Sequence, residues 1–249
     1  SSILFIVYII IFININIILY SFITMQKEEE EINLFDTHCH LNSLQNISID
    51  EAITNARNNN VVLINNICTN LTEAKKIIET SNKYKNVFCS VGHHPEEVEK
   101  ISIELEDILS YTTANRKVIA IGETGLDYHY NSENKKEQKR NFEIHIEACR
   151  KTKLPLIIHT RDADKDMMEI LESEIKNSNF NFVLHCFSSG KELAYKSLEL
   201  GGFISLSGIV TFKNATELQS IVKTLPLDRI FLETDAPYLS PVPFRGKEN

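Results

Sequence analysis

Leu34-Phe35-Asp36-Thr37-His38-Cys39-His40 is the stretch from which this chain can be read. An apolar start runs into an aspartate and two histidines at alternate positions. In a strand, side chains repeat every second residue, so His38 and His40 project to the same side. Two imidazoles side by side at a strand end can grip one divalent ion but leave its shell incomplete. Later strand ends must supply the remaining ligands.

Reading outward from this stretch, short apolar runs alternate with helical patterns. Helices are expected over 48–59, 72–83, 135–151, 164–176, 191–200 and 216–224, with a polar helix through Glu104 and Ile108. Strands are expected over 61–67, 87–91, 118–121, 155–158, 182–184, 203–206 and 229–232. Each strand is short, apolar and followed by a helix, the pattern of a parallel sheet covered on both faces. About eight such units close into a (β/α)8 TIM barrel. An open doubly wound sheet is the competitor. The polar residues decide between them, because they follow strands one, three, four, five, six and eight. In a barrel those ends converge on one mouth; along an open sheet they would be spread out.

Collected at that mouth are His38, His40, Glu123, His159, His185 and Asp235. Taken singly, each has an ordinary structural explanation. An His-x-His pair is common polarity, Glu123 beside glycines could bind a helix terminus, and Asp235 before Ala236-Pro237 could form a turn. Their joint appearance at successive strand ends is what argues against those readings. Imidazoles mixed with carboxylates suit zinc, manganese, iron or magnesium. Six ligands exceed one tetrahedral shell, so two divalent ions bridged by a carboxylate are expected, with Glu123 placed to bridge.

The bulk properties limit the alternatives. The net charge of −8 over 249 residues argues against holding long nucleic acid by bulk electrostatics alone. It does not exclude a nuclease, because bound divalent ions add local positive charge. The five cysteines show no close pair of zinc-knuckle or redox spacing and read as buried thiols. That suits a reducing, cytoplasmic compartment for the barrel. Residues 1–24 form a hydrophobic leader, a charged linker spans 25–32, and the barrel is expected over 33–249. The apolar run from Ile3 to Thr24 has the length of a membrane helix or signal anchor. It lacks the basic start of a cleavable signal, and Met25 offers an alternative start that would make the leader spurious translation. Secretion or membrane anchoring through residues 3–24 follows only if the leader is present in the cell.

From about Asn33 onward the chain resembles the TatD family of metal-dependent deoxyribonucleases. The resemblance is carried by Asp36-Thr37-His38-Cys39-His40-Leu41, Gly122-Glu123-Thr124-Gly125-Leu126-Asp127, His159-Thr160-Arg161, His185-Cys186-Phe187 and Glu233-Thr234-Asp235-Ala236-Pro237-Tyr238-Leu239. Ser205-Leu206-Ser207-Gly208-Ile209 and Pro241-Val242-Pro243 agree as well, in the same order. The resemblance implies a barrel of the metallo-dependent hydrolase type that degrades DNA, often from the 3′ end, with Mg²⁺, Mn²⁺ or Zn²⁺. It implies that His38, His40, Glu123 and Asp235 hold one ion, and that Glu123, His159 and His185 hold the second. The Gly-x-His-Pro element falls on Gly92-His93-His94-Pro95, so His94 rather than His93 would face the scissile phosphate. The bland reading of His94 is a histidine in a helix N-cap region before Pro95. Arg161 would clamp the phosphate with its planar, permanently charged fork. The chain stops at Asn249, where members of that family continue with one or two more helices, which would leave the flank of the last strand exposed.

The expected chemistry is phosphodiester hydrolysis by a metal-activated water, with Asp235 accepting its proton. The substrate would be DNA, single-stranded or at 3′ ends, attacked as a 3′–5′ exodeoxyribonuclease; no stable protein partner is implied. The competing reading is a metal-dependent ester or amide hydrolase, of the aminoacyl-tRNA deacylase or amidohydrolase type. It shares the barrel and the first histidine pair. Many amidohydrolases bridge their ions with a modified lysine on strand four, and Glu123 at that place favours phosphodiesters. A basic run, Lys135, Lys136, Lys139 and Arg140, reads as a solvated helix face that could touch a nucleic-acid backbone.

Overall fold

A computed structural model describes residues 32–113, 115–130 and 132–249. The expected leader lies outside the described residues, as does all but the last residue of the expected linker. Among the described residues no helix is long and apolar enough to cross a membrane. The strands are β1 (Leu34–Cys39), β2 (Val61–Asn66), β3 (Val87–Val91), β4 (Val118–Asp127), β5 (Leu156–Arg161), β6 (Phe182–Leu184), β7 (Phe203–Leu206) and β8 (Ile230–Leu232). Between them run α1 (Ile49–Asn58), α2 (Ala74–Lys83), α3 (Leu105–Thr112), α4 (Lys135–Thr152), α5 (Asp164–Asn177), α6 (Lys191–Glu199) and α7 (Thr216–Val222). The eight strands pair in sequence order, every pair parallel.

The barrel closes through hydrogen bonds at and just beyond the strand ends rather than through a regular β8–β1 ladder. Thr37 donates its hydroxyl to the Leu232 carbonyl at 2.9 Å. Beyond β8, Asp235 N–H reaches the His38 carbonyl at 2.9 Å, and His40 N–H reaches the Ala236 carbonyl at 2.6 Å. These bonds set the segment carrying Asp235 directly against His38 and His40.

Alternation along each strand explains which side chains enter the site. On β5, Leu156 and Ile158 point outward into the main core with Phe142, Ile146, Met167 and Leu171 of α4 and α5. Ile157 points inward and packs with Ile67 and Ala120. His159 and Arg161 continue that inward column toward the mouth. On β1, Cys39 faces outward against Leu41 and Ile53, leaving His38 and His40 inside. Each fully buried Leu, Ile, Phe or Met of the main core contributes roughly 1.5–3 kcal/mol, so the outward positions fix the orientation of the inward ones.

The structure departs from the expected boundaries at β4 and β5, which run to Asp127 and Arg161 instead of stopping at Ile121 and Ile158. Two glycines permit this. Gly122 and Gly125 adopt φ of 126° and 141°, and a Cβ on Gly125 would sit 2.0 Å from the His159 carbonyl oxygen. The strands therefore stay paired past the apolar run, with Gly125 opposite His159 and Asp127 opposite Arg161. The helix expected from residue 72 begins instead with a 3-10 turn over Leu71–Glu73, where Asn70 accepts the Thr72 N–H at 3.0 Å. Among the described residues no helix follows β8, and Ile230, Phe231 and Leu232 are only half-buried.

Candidate metal centre

Glu123 is the hub of the barrel mouth. It is 3 % exposed, and its two carboxylate oxygens face different groups of side chains. Oε2 lies 3.3 Å from His38 Nε2 and 4.0 Å from His40 Nε2. Oε1 lies 2.6 Å from His185 Nε2, 3.1 Å from His159 Nδ1 and 3.5 Å from His94 Nε2. Asp235 joins the first group, its Oδ1 being 3.5 Å from His38 Nε2 and 3.4 Å from His40 Nε2. The structure thus brings together His38, His40, His94, Glu123, His159, His185 and Asp235.

These separations fit a divalent ion. Ligand atoms bonded at ~2.0–2.2 Å to one ion sit roughly 3–3.5 Å from one another. The Nε2 atoms of His38 and His40 are 3.3 Å apart, and His185 Nε2 and His159 Nδ1 are 3.4 Å apart. Each pair of nitrogens is close enough to share a proton or to ligate one cation. The charges point the same way. Burial alone would raise the Glu123 carboxyl, but His185, His38 and His94 outweigh it and hold the group well below the carboxylate range. Burial disfavours the His185 imidazolium, yet Glu123 and Glu233 hold it well above the usual histidine value. A divalent cation supplies the same compensation by replacing that proton.

Three carboxylates support this cluster from outside it. Asp127 Oδ2 lies 2.9 Å from His159 Nε2, which turns His159 Nδ1 toward Glu123. Glu233 Oε1 accepts the Cys186 N–H and lies 3.4 Å from His185 Nδ1. Asp36 accepts from Thr234 and from the His38 N–H, and burial pushes its carboxyl up to about 7. All three stand within the sequence motifs, which assign them no role. Even spacing was the available signal: Asp36 stands two residues before His38, and Asp127 four after Glu123.

His94 caps a turn with one ring nitrogen and enters the cluster with the other. Its Nδ1 accepts the Glu96 N–H at 3.2 Å, capping a short 3-10 turn, while its Nε2 faces Glu123. His93 is fully buried behind the site, where its N–H donates to His145 Nε2 at 3.0 Å. Arg161 stands at the rim, with its guanidinium 4.7 Å from the Tyr130 ring centroid. Tyr238 borders the other side, its ring 5.7 Å from that of His40. All five cysteines are free thiols.

The model of the TatD-related DNase family matches residues 35–249 of this chain. The chain belongs to that family. It is 42% identical over 220 residues to the uncharacterized metal-dependent hydrolase YcfH of Escherichia coli K12, spanning 87% of this chain and 82% of that protein. It is 38% identical over 222 residues to the uncharacterized metal-dependent hydrolase YabD of Bacillus subtilis, spanning 87% and 85%. The crystal structure of YJJV, a TatD homolog from Escherichia coli K12, superposes with a TM-score of 0.80 at 27% identity, covering 87% of this chain and 84% of that one. The chain is therefore a TatD-family member and a metal-dependent hydrolase.

Proposed function

We propose that this hydrolase is a deoxyribonuclease that removes nucleotides from 3′ ends, preferentially of single strands, at a site holding two divalent ions. The observation that carries this reading is the divided Glu123 carboxylate, whose two oxygens face His38 and His40 on one side and His159 and His185 on the other. On this reading His38, His40, Asp235 and Glu123 hold one ion, and Glu123, His159 and His185 the other. The imidazoles suit Zn²⁺, and the carboxylates, with water completing the shell, suit Mn²⁺ and Mg²⁺. When bound, such a pair polarises water and neutralises charge on a phosphate undergoing in-line displacement.

The chain's own groups divide the remaining work. Asp235 accepts the proton of the attacking water. Burial would raise its carboxyl, but the hydrogen bond to His40 and the charges of His38 and His185 keep it ionised and able to accept. Arg161 at the rim meets the phosphate oxygens and stabilises charge that builds there. His94 orients the scissile phosphate from the Glu123 side. Asp127 holds His159 in one orientation.

The test is digestion of a 5′-labelled single-stranded DNA oligonucleotide by the purified chain. A ladder shortening from the 3′ end is expected with Mg²⁺, Mn²⁺ or Zn²⁺, and its loss with chelator. No metal-dependent cleavage under any of these ions would overturn the nuclease reading.

A further inference from the structure

Beside the metal cluster lies a cleft of about 660 Å³, lined by His129, Arg161, Asp162, Asp164, Ser188 and Ser189. That volume lies within the range of small-molecule sites. Tyr130 stands next to it and is 65% exposed. The Arg161 guanidinium covers one face of its ring, and His129 meets the ring edge-on at 4.7 Å between centroids. The cleft's two carboxylates are already engaged. Asp162 pairs with His129 at 2.8 Å, and Asp164 accepts the Gly190 N–H at 2.9 Å. Arg161 differs from Arg140 and Arg150, which pair with Glu104 and Glu174. Among the described residues it has no carboxylate partner and is held by the tyrosine instead.

One side chain ties this corner to the metal centre. Asp127 Oδ1 accepts the N–H of His129 at 2.9 Å and of Tyr130 at 3.0 Å, while its Oδ2 faces His159. The loop bearing Tyr130 is thus anchored through one carboxylate to a candidate metal ligand. An exposed aromatic ring beside an arginine that lacks a carboxylate partner is what single-stranded nucleic-acid sites present, the ring to a base and the cation to the backbone.

We propose that Tyr130, with Arg161 and the adjoining cleft, forms a nucleobase subsite for a nucleotide adjoining the cleaved phosphodiester. This rests on the deoxyribonuclease reading above. The base stacks on the open face of the ring, and the phosphate beside it meets Arg161. The contact is indifferent to base identity, because every base has a π-face.

The test compares wild type, Y130A and Y130F on a single-stranded DNA oligonucleotide and on the same oligonucleotide carrying an abasic residue at its terminal or penultimate position. On intact DNA, Y130A lowers kcat/KM by roughly tenfold, and Y130F stays within about twofold of wild type. Removing the base costs wild type a similar factor, and the variants converge on the abasic substrate. If wild type cleaves DNA but Y130A matches it, or if the losses from Y130A and from the abasic residue multiply, the subsite is overturned while the nuclease reading stands. If wild type cleaves no DNA with Mg²⁺, Mn²⁺ or Zn²⁺, both fall together.

Discussion

Asp36 on β1 grips Thr234 beyond β8 with both carboxylate oxygens, Oδ2 accepting the hydroxyl at 2.7 Å and Oδ1 the amide at 3.0 Å. The pair holds the last strand end to the first and sets Asp235 beside His38. T234V keeps the shape and removes the hydroxyl, leaving Asp36 Oδ2 without its donor and the Ala236 N–H without its acceptor. The expected cost is about 1–3 kcal/mol of stability. Metal affinity is expected to fall roughly 10–100-fold, as it does when the support of a ligand is lost. Thermal melts and a metal titration check this. Unchanged metal affinity would mean that Asp235 is positioned without Thr234.

Glu123 is expected to serve both halves of the centre. E123Q keeps the volume and removes the charge that His38, His94 and His185 share. Hydrolysis falls by on the order of 10³-fold, and metal analysis after dialysis shows depletion of both ions. H40A, by contrast, touches only the Asp235 side and retains the ion near His159 and His185. If E123Q retains one ion as firmly as wild type, the bridging assignment is wrong.

Arg161 is expected to contribute geometry as well as charge. R161K preserves the charge but loses the planar fork and its stacking on Tyr130. The expected result is a kcat lower by roughly tenfold or more with metal content unchanged. Steady-state kinetics on a DNA oligonucleotide separates this from a loss confined to KM, which would mark Arg161 as a binding group only.

The fold was legible in the sequence because its strands are apolar, short and evenly interrupted by helices. β6 and β7 fall on the residues expected, Phe182–Leu184 and Phe203–Leu206. The convergence of His38, His40, Glu123, His159, His185 and Asp235 was legible because each stands at or just past a strand end. The ends of β4 and β5 were not. Reading by hydrophobic runs stops a strand at its first polar residue, whereas Glu123, Asp127 and His159 satisfy one another inside the barrel and the backbone ladder continues. The supporting roles of Asp36, Asp127 and Glu233 were hidden for the same reason. A carboxylate that orients a ligand looks, in one dimension, like any strand-end acid. The capping of a turn by His94 and its approach to Glu123 looked like alternatives, because a sequence does not show that two ring nitrogens can face different partners.

The last prediction concerns a histidine outside the metal centre. His145 on α4 is fully buried, with Nδ1 at 2.7 Å from the Asn141 carbonyl and Nε2 accepting the His93 N–H. Asn141 in turn donates to the His93 carbonyl at 2.7 Å, so the pair holds the backbone that leads into His94. The arrangement needs a neutral ring, and burial pushes its pKa down to about 3. Unfolded, the same group titrates at about 6.5. Between those values the unfolded chain binds the extra proton, so stability rises with pH there. This contribution is fully present above about pH 6.5 and is lost as pH falls toward 3, amounting to about 2 kcal/mol by pH 5. H145Q offers an oxygen to the His93 N–H without a titrating ring. Its melting temperature is therefore expected to fall less than that of wild type between pH 7.5 and pH 5, by about 5 °C. Parallel acid losses in the two proteins would show that His145 is not the group that couples folding to pH.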